Sequence, residues 1–291
     1  MNAPSSLPGH AAMLLFATII SVSFSLGGRA APFIDPAALT AGRFLIAALV
    51  LGAVAAPHMR AAHFHAPWRY PALGGLLGGY FILMFEALRL TDPVSTGAVF
   101  TLTPIMAAGF GWLLMRQRTT RRMAVSLALA GIGAVWVIFR GDPAAMLALD
   151  LGRGEAIYFI GCALHALYAP LGRKLHRGEP VVVYAFGGLI GGLIVTGFYG
   201  AGAIAATDWA ALPPVVWAAL FYLGVAATAC TLFLVMFATL RLPAAKVMAY
   251  GYLTPSFVIL WEGFFGGAWV APTAWFGVAA TVAALLLLLK D

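Results

Sequence analysis

Three ionisable side chains lie inside long apolar runs of this sequence: Arg43, Glu86 and Glu262. A charged group is expensive in hydrocarbon, so such residues usually face a cavity, a charged partner or the lipid headgroups. If the runs are membrane helices, each of these residues falls in the outer third of its helix. We therefore predict a charge network between Arg43 and the two carboxylates that would act as an outer gate. Snorkelling of the glutamates to the headgroups is the alternative.

Two other apolar runs share the residues Leu-Thr-Pro, in "TLTPIM" at 101–106 and "YLTPSF" at 252–257. Proline has no N–H and kinks a helix, so Pro104 and Pro255 free the carbonyls of Phe100 and Gly251. At membrane depth a freed carbonyl is tolerated where it lines a cavity or finds another partner. The paired breaks therefore predict a transport site near the midplane, with simple packing kinks as the alternative.

Side chains that suit a small zwitterion flank the two prolines. Hydroxyl groups would bind a carboxylate or an ammonium group, and aromatic rings would form an apolar wall, although each ring is also explained by packing or lipid contact. The predicted hydroxyls belong to Thr101, Thr103, Tyr252 and Thr254, and the predicted wall to Phe24, Tyr80, Phe85 and Phe100.

His165 lies in the middle of another apolar run, three residues before Tyr168, so the two share a helix face. Histidine titrates near neutral pH, which would allow proton coupling. A place in the cavity wall and a hydrogen-bonded packing role are the alternatives.

Composition decides the class of protein. The chain is 63% hydrophobic and only 9% charged, with a mean hydropathy of +0.96, whereas roughly a quarter of a soluble domain is charged. Its net charge of +7 is scattered between apolar segments, which indicates membrane topology and not nucleic-acid binding. No nucleotide-binding loop, metal-ligand pattern or catalytic triad is present, so we expect no cofactor, no metal and no enzyme.

Proline, glycine and charge clusters divide the chain into ten apolar segments, each long enough to span a bilayer. Most Lys and Arg residues would be cytoplasmic if the N-terminus is, which places both termini in the cytoplasm. The predicted spans are 11–31, 37–56, 70–90, 93–115, 123–139, 154–172, 181–201, 214–240, 243–266 and 272–289.

The two halves of the chain repeat each other. "LRLTDPVSTGAVFTLTP" in the first corresponds to "LRLPAAKVMAYGYLTP" in the second, with one residue of offset. Five spans per half is an odd number, so the halves would insert in opposite orientations around a central cavity. We predict an all-α membrane protein with repeats at 1–145 and 146–291 that form one transmembrane domain. "GGLLGG" in the third span and "GGLIGG" in the seventh predict close helix contacts.

The sequence resembles ten-helix members of the drug/metabolite transporter superfamily with two EamA repeats, and among them the YddG-type bacterial exporters of amino acids. The resemblance covers nearly the whole chain and depends on the order of "DPAALTAGRFLIAAL", "EALRLTDPVSTGAVFTLTP", "ALHALYAPLGRKL" and "AYGYLTP". Ser21 and His165 stand where the family often has tryptophan, which adds Ser21 to the predicted site. Thr101 and Thr103 replace an aromatic residue. The resemblance therefore implies a more polar cavity and a broader range of amino acids.

These observations favour a secondary transporter that exports amino acids and similar zwitterionic metabolites across the bacterial cytoplasmic membrane by alternating access. Its partners would be its substrates, the lipid bilayer and protons. An exporter of lipophilic cationic drugs is the main alternative, although such a site usually contains a deep carboxylate. A membrane-embedded enzyme or a channel is a further alternative.

Overall fold

The computed structural model describes residues 7–116, 120–139, 141–148, 151–239, 247, 249–266, 272 and 274–289, and within these ranges the chain is helical without a strand. The first half contains α1 (Leu7–Ala30), α2 (Pro36–Ala55), α3 (Arg69–Leu88), α4 (Pro93–Phe100), α5 (Thr103–Met115), α6 (Arg121–Ile138) and the short α7 (Pro143–Ala148). The second half contains α8 (Arg153–Leu175), α9 (Val181–Tyr199), α10 (Ala201–Ala206), α11 (Pro214–Gly224), α12 (Thr231–Thr239), α13 (Thr254–Phe264) and α14 (Ala274–Leu289). A π-helical turn (Val225–Cys230) joins α11 to α12, and a 3₁₀ turn (Tyr250–Leu253) precedes α13.

Helix starts follow from local chemistry. The Asp35 carboxylate accepts the Ala37 N–H at 2.8 Å, and the Asp92 carboxylate accepts the Ser95 N–H at 2.9 Å. A proline follows each aspartate, at the first helical position where a missing N–H costs little. The sequence Asp-Pro therefore begins both α2 and α4.

Six stretches within the described residues are long and apolar enough to cross a membrane: Leu7–Ala30, Pro36–His58, Arg69–Leu88, Pro93–Met115, Val181–Tyr199 and Pro214–Val235. Helices α6, α8, α13 and α14 occupy the other four predicted spans. The described α13 and α14 have only 11 and 16 residues, whereas α6 and α8 have 18 and 23. Residues 240–246, within the predicted eighth and ninth spans and the loop that joins them, lie outside the described residues.

Helices of the first half pack between helices of the second half, so the two halves do not form separate bundles. Helix α3 packs against α8 and α9, α1 against α12 and α13, and α6 against α14. The larger buried core gathers Phe24, Phe44, Phe85, Leu189 and Leu223 from five different helices of both halves. Every long helix of the first half therefore buries apolar surface against the second half.

Glycines set the closest of these contacts, as the glycine-rich sequences predict. A β-carbon on Gly74 of α3 would lie 2.0 Å from the backbone nitrogen of Gly192 in α9, and one on Gly191 would lie 2.2 Å from the Tyr70 carbonyl carbon. At such distances the two backbones touch. Gly133 of α6 and Gly277 of α14 meet reciprocally, each facing the other's carbonyl oxygen.

We call the end of the bundle with the α1–α2 connection the first end, and the opposite end, with the α2–α3 connection, the second end. A buried ion pair joins the two halves of the chain at the second end. Arg69, at the start of α3, pairs with Glu179 between α8 and α9, and both side chains are buried. The Arg69 guanidinium also donates to the Leu175 carbonyl oxygen at 2.7 Å. Burial raises the pKa of the Glu179 carboxyl, but hydrogen bonds from the Arg177 N–H and from Arg69 outweigh it and hold the pKa below its ordinary value.

The α3–α9 contact predicts that Gly191→Ala destabilises the protein, because its methyl group would collide with the backbone of α3. Overpacking of this kind costs about 1–3 kcal/mol. Gly197→Ala, in the same helix, is the matched control, since nothing lies within 4 Å of its β-carbon position. Thermal unfolding of the purified protein, followed by tryptophan fluorescence, should show a lower midpoint for the first variant alone. Equal midpoints would contradict the close contact.

The buried pair predicts a pH-dependent effect of Glu179→Gln. A lowered pKa stabilises the fold above the ordinary value of 4.5, and this contribution is lost as the pH falls below that value. At pH 7 the variant should unfold at a lower temperature, since breaking a buried pair costs about 3–5 kcal/mol.

The difference from the unmodified protein should shrink when the same scans are made at pH 4. Glu86→Gln is the control, because the Glu86–Arg89 pair is exposed and such pairs contribute about 0–1 kcal/mol. A difference that does not depend on pH would contradict the assignment to the Glu179 charge.

Candidate functional site

Both repeated prolines interrupt helical structure. Helix α4 ends at Phe100 and α5 begins at Thr103, while the 3₁₀ turn that ends at Leu253 gives way to α13. The residues before the two new helices, Leu102 and Leu253, have φ/ψ angles of −79°/−14° and −80°/−11°. The two breaks thus share one backbone geometry.

Phe100 brings the two breaks together. A β-carbon on Gly251, at the second break, would lie 3.5 Å from its ring. The centroid of the same ring lies 5.8 Å from that of Phe24, 6.2 Å from that of Tyr80 and 5.5 Å from that of His165. Four helices and the 3₁₀ turn therefore converge on this side chain.

Tyr80 extends this aromatic group across α3 and α8. Its ring stacks near the His165 ring, with 4.5 Å between centroids, and its hydroxyl lies 3.0 Å from the Tyr158 hydroxyl. The Tyr158 ring in turn meets Phe24 edge-on at 6.0 Å. We call Phe24, Tyr80, Phe100, Tyr158 and His165 the aromatic cluster.

Several polar groups beside the breaks are buried without a hydrogen-bond partner in the described part of the chain. They are the Tyr252, Thr254 and Ser256 hydroxyls, which flank Pro255, and Nδ1 of His165. An unsatisfied buried polar group costs about 1–3 kcal/mol, so native structures contain few of them. The unpaired groups on Tyr252, Thr254 and Ser256 all lie within three residues of Pro255 in the sequence.

Two of the other predicted hydroxyls, those of Ser21 and Thr101, have partners within the protein. The Ser21 hydroxyl donates to the Thr18 carbonyl at 2.7 Å and accepts the Trp261 indole N–H at 2.9 Å. The Thr101 hydroxyl donates to the Ala98 carbonyl at 2.6 Å, and Thr103 lies beside the Cys162 thiol. These residues border the breaks. The Ser21 and Thr101 hydroxyls are engaged, whereas the buried Thr103 hydroxyl has no hydrogen-bond partner in the described part of the chain.

Two predicted substrate-binding residues, Phe85 and Tyr168, lie apart from the aromatic cluster. Phe85 packs on α1, where a β-carbon on Gly27 would meet its ring at 2.7 Å. Tyr168 is half-buried, and its hydroxyl points toward Gly188 of α9.

Sequence reasoning missed Tyr158, Ser256 and Trp261. Tyr158 precedes His165 by two helical turns, and Trp261 follows Thr254 by the same interval, so helical spacing from the predicted residues would have placed both on the site face. Ser256 directly follows Pro255.

The predicted network between Arg43 and the carboxylates is not what the structure shows. The Arg43 guanidinium is fully buried and donates to the Thr228 hydroxyl at 2.8 Å, while Glu86 pairs with Arg89 and Glu262 with Arg29. The reason is packing: α2 lies against the π-helical turn, and Glu262 lies at the end of α13 beside α1. The exposed Glu86 pair matches the alternative of a glutamate near the surface.

Both ends of α1 are tied to the segment around Pro255. At the first end, Arg29 binds the two Glu262 oxygens at 2.9 and 3.3 Å and lies over the Phe265 ring at 4.8 Å. At the second end, His10 Nδ1 lies 2.8 Å from the Tyr250 hydroxyl. Polar contacts thus lie on both sides of the helix breaks, one toward the first end of the bundle and one toward the second.

Comparison with known proteins is consistent with this architecture. The model of the EamA-like transporter family matches the chain twice, over residues 7–139 and 152–290. A relative from Bacillus subtilis (strain 168), described as "Uncharacterized transporter YyaM", is 24% identical over 219 residues, which is 73% of this chain and 71% of that protein. A solved crystal structure shares the fold, with a TM-score of 0.72 at 20% identity over 99% of this chain and 98% of the other. The chain is a multi-pass membrane protein with two EamA repeats, and it belongs to the EamA-like transporter family.

Proposed function

We propose that this protein is a secondary transporter that exports amino acids and similar small zwitterionic metabolites across the bacterial cytoplasmic membrane by alternating access. The observation that carries the proposal is the group of unpaired polar atoms around Pro255 and His165, next to an aromatic cluster at the meeting point of two helix breaks. A zwitterion with an apolar side chain needs both surfaces, since its charged groups require hydrogen bonds and its side chain requires an apolar wall.

The chain has ten membrane-spanning helices in this proposal, in inverted repeats at 1–145 and 146–291 with both termini in the cytoplasm. The first end then faces outward and the second end faces the cytoplasm. The contact pattern supports a two-fold relation between the halves, because an axis between them brings equivalent helices together, and the equivalent helices α6 and α14 pack on each other.

Alternating access requires that the site open to one side at a time. The Arg29–Glu262 pair would then close the outer face, and the His10–Tyr250 and Arg69–Glu179 contacts the cytoplasmic face. Each of these contacts joins the first half to the second. Rocking of one half against the other would break them in turn.

Export of lipophilic cationic drugs is less well supported. A drug cation in the membrane interior needs a buried counter-ion. Glu86 and Glu262 are each paired with an arginine near a helix end, and the buried Glu155, in the first turn of α8, accepts the Thr91 hydroxyl. The aromatic cluster alone would attract a cation only weakly, by about 0.5–2 kcal/mol for each ring.

Protons are a further proposed partner, through His165. Its ring stacks on Tyr80 and its Nδ1 has no partner among the described residues, so it can exchange a proton with a substrate or with water that enters the site. No nucleotide-binding loop is present in the sequence, so the driving force is the gradient of substrate or of protons.

The proposal predicts that Pro104→Ala abolishes most transport. An alanine N–H would bond to the Phe100 carbonyl and continue the helix through the break, which removes the polar backbone from the site. Saturable uptake of a labelled amino-acid panel into proteoliposomes, with and without a pH gradient, measures this. We expect at least a tenfold lower rate.

Pro214→Ala is the matched control, because Pro214 is exposed at the first position of α11, where no helix bond is missing. Its rate should equal that of the unmodified protein. Uptake of quaternary ammonium dyes but of no amino acid would overturn the proposal in favour of the drug exporter.

The outer gate predicts that Glu262→Gln opens the site toward the outside, since the bidentate pair with Arg29 is lost. The reporter is native Cys162, which is fully buried beside Thr103. The experiment uses a Cys230→Ser background, so that Cys162 is the cysteine that reacts. Its labelling by a membrane-impermeant maleimide, applied to the outer face of cells, should become several-fold faster.

Glu86→Gln also removes a glutamate near the outer end of a helix, but its pair is local to α3. This control should leave the labelling rate unchanged. Equal rates for both variants would show that the Arg29–Glu262 pair does not gate the site.

A further inference from the structure

Arg43 is a fully buried charged residue that the proposed transport cycle does not yet use. Its Nη2 donates only to neutral groups among the described residues. These are the Thr228 hydroxyl and the carbonyl oxygens of Leu223 and Ala227, at 2.8 to 3.4 Å. The remaining amino group, Nη1, is buried without a hydrogen-bond partner in the described part of the chain. The guanidinium is therefore anchored on one side and unsatisfied on the other.

The π-helical turn explains the anchor. In a π-helix the hydrogen bonds run from residue i to i+5, and such turns are often found at functional sites. The Thr228 hydroxyl follows this spacing, since it donates to the Leu223 carbonyl at 2.7 Å. The turn thus presents the Thr228 hydroxyl and the Ala227 carbonyl to α2, and the end of α11 adds the Leu223 carbonyl. These three groups fix the orientation of Arg43 without neutralising its charge.

No carboxylate in the described ranges is available as its counter-ion. Eight of the ten acidic residues are described, and each of the eight is engaged elsewhere, while Asp150 and Asp291 lie outside the described residues. The eight form ion pairs, hydrogen bonds or helix caps as follows: Asp35 with Ala37, Glu86 with Arg89, Asp92 with Ser95, Asp142 with Ala144, Glu155 with Thr91, Glu179 with Arg69, Asp208 with Ala210, and Glu262 with Arg29.

The neighbours of Arg43 connect it with the candidate site. Its guanidinium carbon lies 3.6 Å from the centre of the Phe81 ring and 5.7 Å from that of Phe85. Tyr80, which stacks on His165 in the aromatic cluster, precedes Phe81 in α3. Arg43 therefore packs against the same segment of α3 that carries Tyr80 of the aromatic cluster.

We propose that Arg43 binds the carboxylate group of the transported amino acid through Nη1. A buried guanidinium without an anion is costly in a membrane, and a carboxylate that forms charge-assisted hydrogen bonds with it removes that cost. This inference rests on the proposed function and specifies its substrate class: the substrate must carry a carboxylate. An amine of the same shape leaves the guanidinium unpaired and is rejected.

Competition against labelled leucine in proteoliposome counterflow tests the proposal. Unlabelled leucine and isoamylamine, which has the same side chain and ammonium group but no carboxylate, are the two competitors. In the unmodified protein leucine should compete at least tenfold better than the amine. Arg43→Gln should reduce this ratio to near one by weakening leucine alone, and Arg43→Lys should restore part of it, because the charge returns without the planar donors.

Arg89→Gln is the matched control, since Arg89 lies in an exposed pair near the end of α3, and it should keep the full ratio. If Arg43→Gln does not fold, the unmodified protein still tests the requirement for a carboxylate. Leucine should raise its unfolding temperature and isoamylamine should not. Replacing chloride by methanesulfonate should change neither result, and a requirement for chloride would assign Arg43 to a free anion instead.

The outcomes separate the two proposals. If the unmodified protein exchanges no amino acid, the proposed function fails and the role of Arg43 fails with it. If it exchanges leucine but Arg43→Gln preserves the ratio between leucine and isoamylamine, the proposed function stands and the role of Arg43 is overturned.

Discussion

The rest of the structure depends on one constraint: inside a membrane, each backbone carbonyl needs a hydrogen-bond donor. Pro104 and Pro255 cannot supply the donor that Phe100 and Gly251 would have in a continuous helix. Both breaks lie beside the Phe100 ring, and the side chains around the second break are buried polar groups without partners. The chain therefore carries several polar groups whose cost only a ligand or ordered water can remove. That cost is the physical basis for placing the transport site here.

Such a site needs rigid surroundings, because the unsatisfied groups would otherwise rearrange to find partners. Small residues provide the rigidity. With glycine at positions 74, 191 and 192, α3 and α9 approach until their backbones touch. At each end, buried or bidentate ion pairs join the two halves. Helices that meet through glycine have no interlocking side chains and can slide past each other. The same contacts can therefore stabilise one conformation of the protein and still permit the change to another.

Sequence reasoning predicted features that depend on local chemistry. Helix starts marked by proline, helix breaks at Leu-Thr-Pro and glycine-mediated contacts of α3 were all predicted, because each depends on a few neighbouring residues. The charge network was predicted wrongly for Arg43 because ion pairs depend on which helices pack together, which helical periodicity does not contain. The π-helical turn was also missed. Its residues Val225–Cys230 carry no proline or glycine to mark it, and it is held by a residue 185 positions away.

The π-helical turn has a consequence for how binding and movement are linked. It belongs to the second half of the chain, and the arginine that it orients belongs to the first. In our proposal a substrate carboxylate binds Nη1 of Arg43, so the guanidinium gains a charged partner that competes with the neutral carbonyls of Leu223 and Ala227. Substrate binding would then act directly on a contact between the two halves. A carrier needs such a link, because an empty site and an occupied site must favour different arrangements of the same helices.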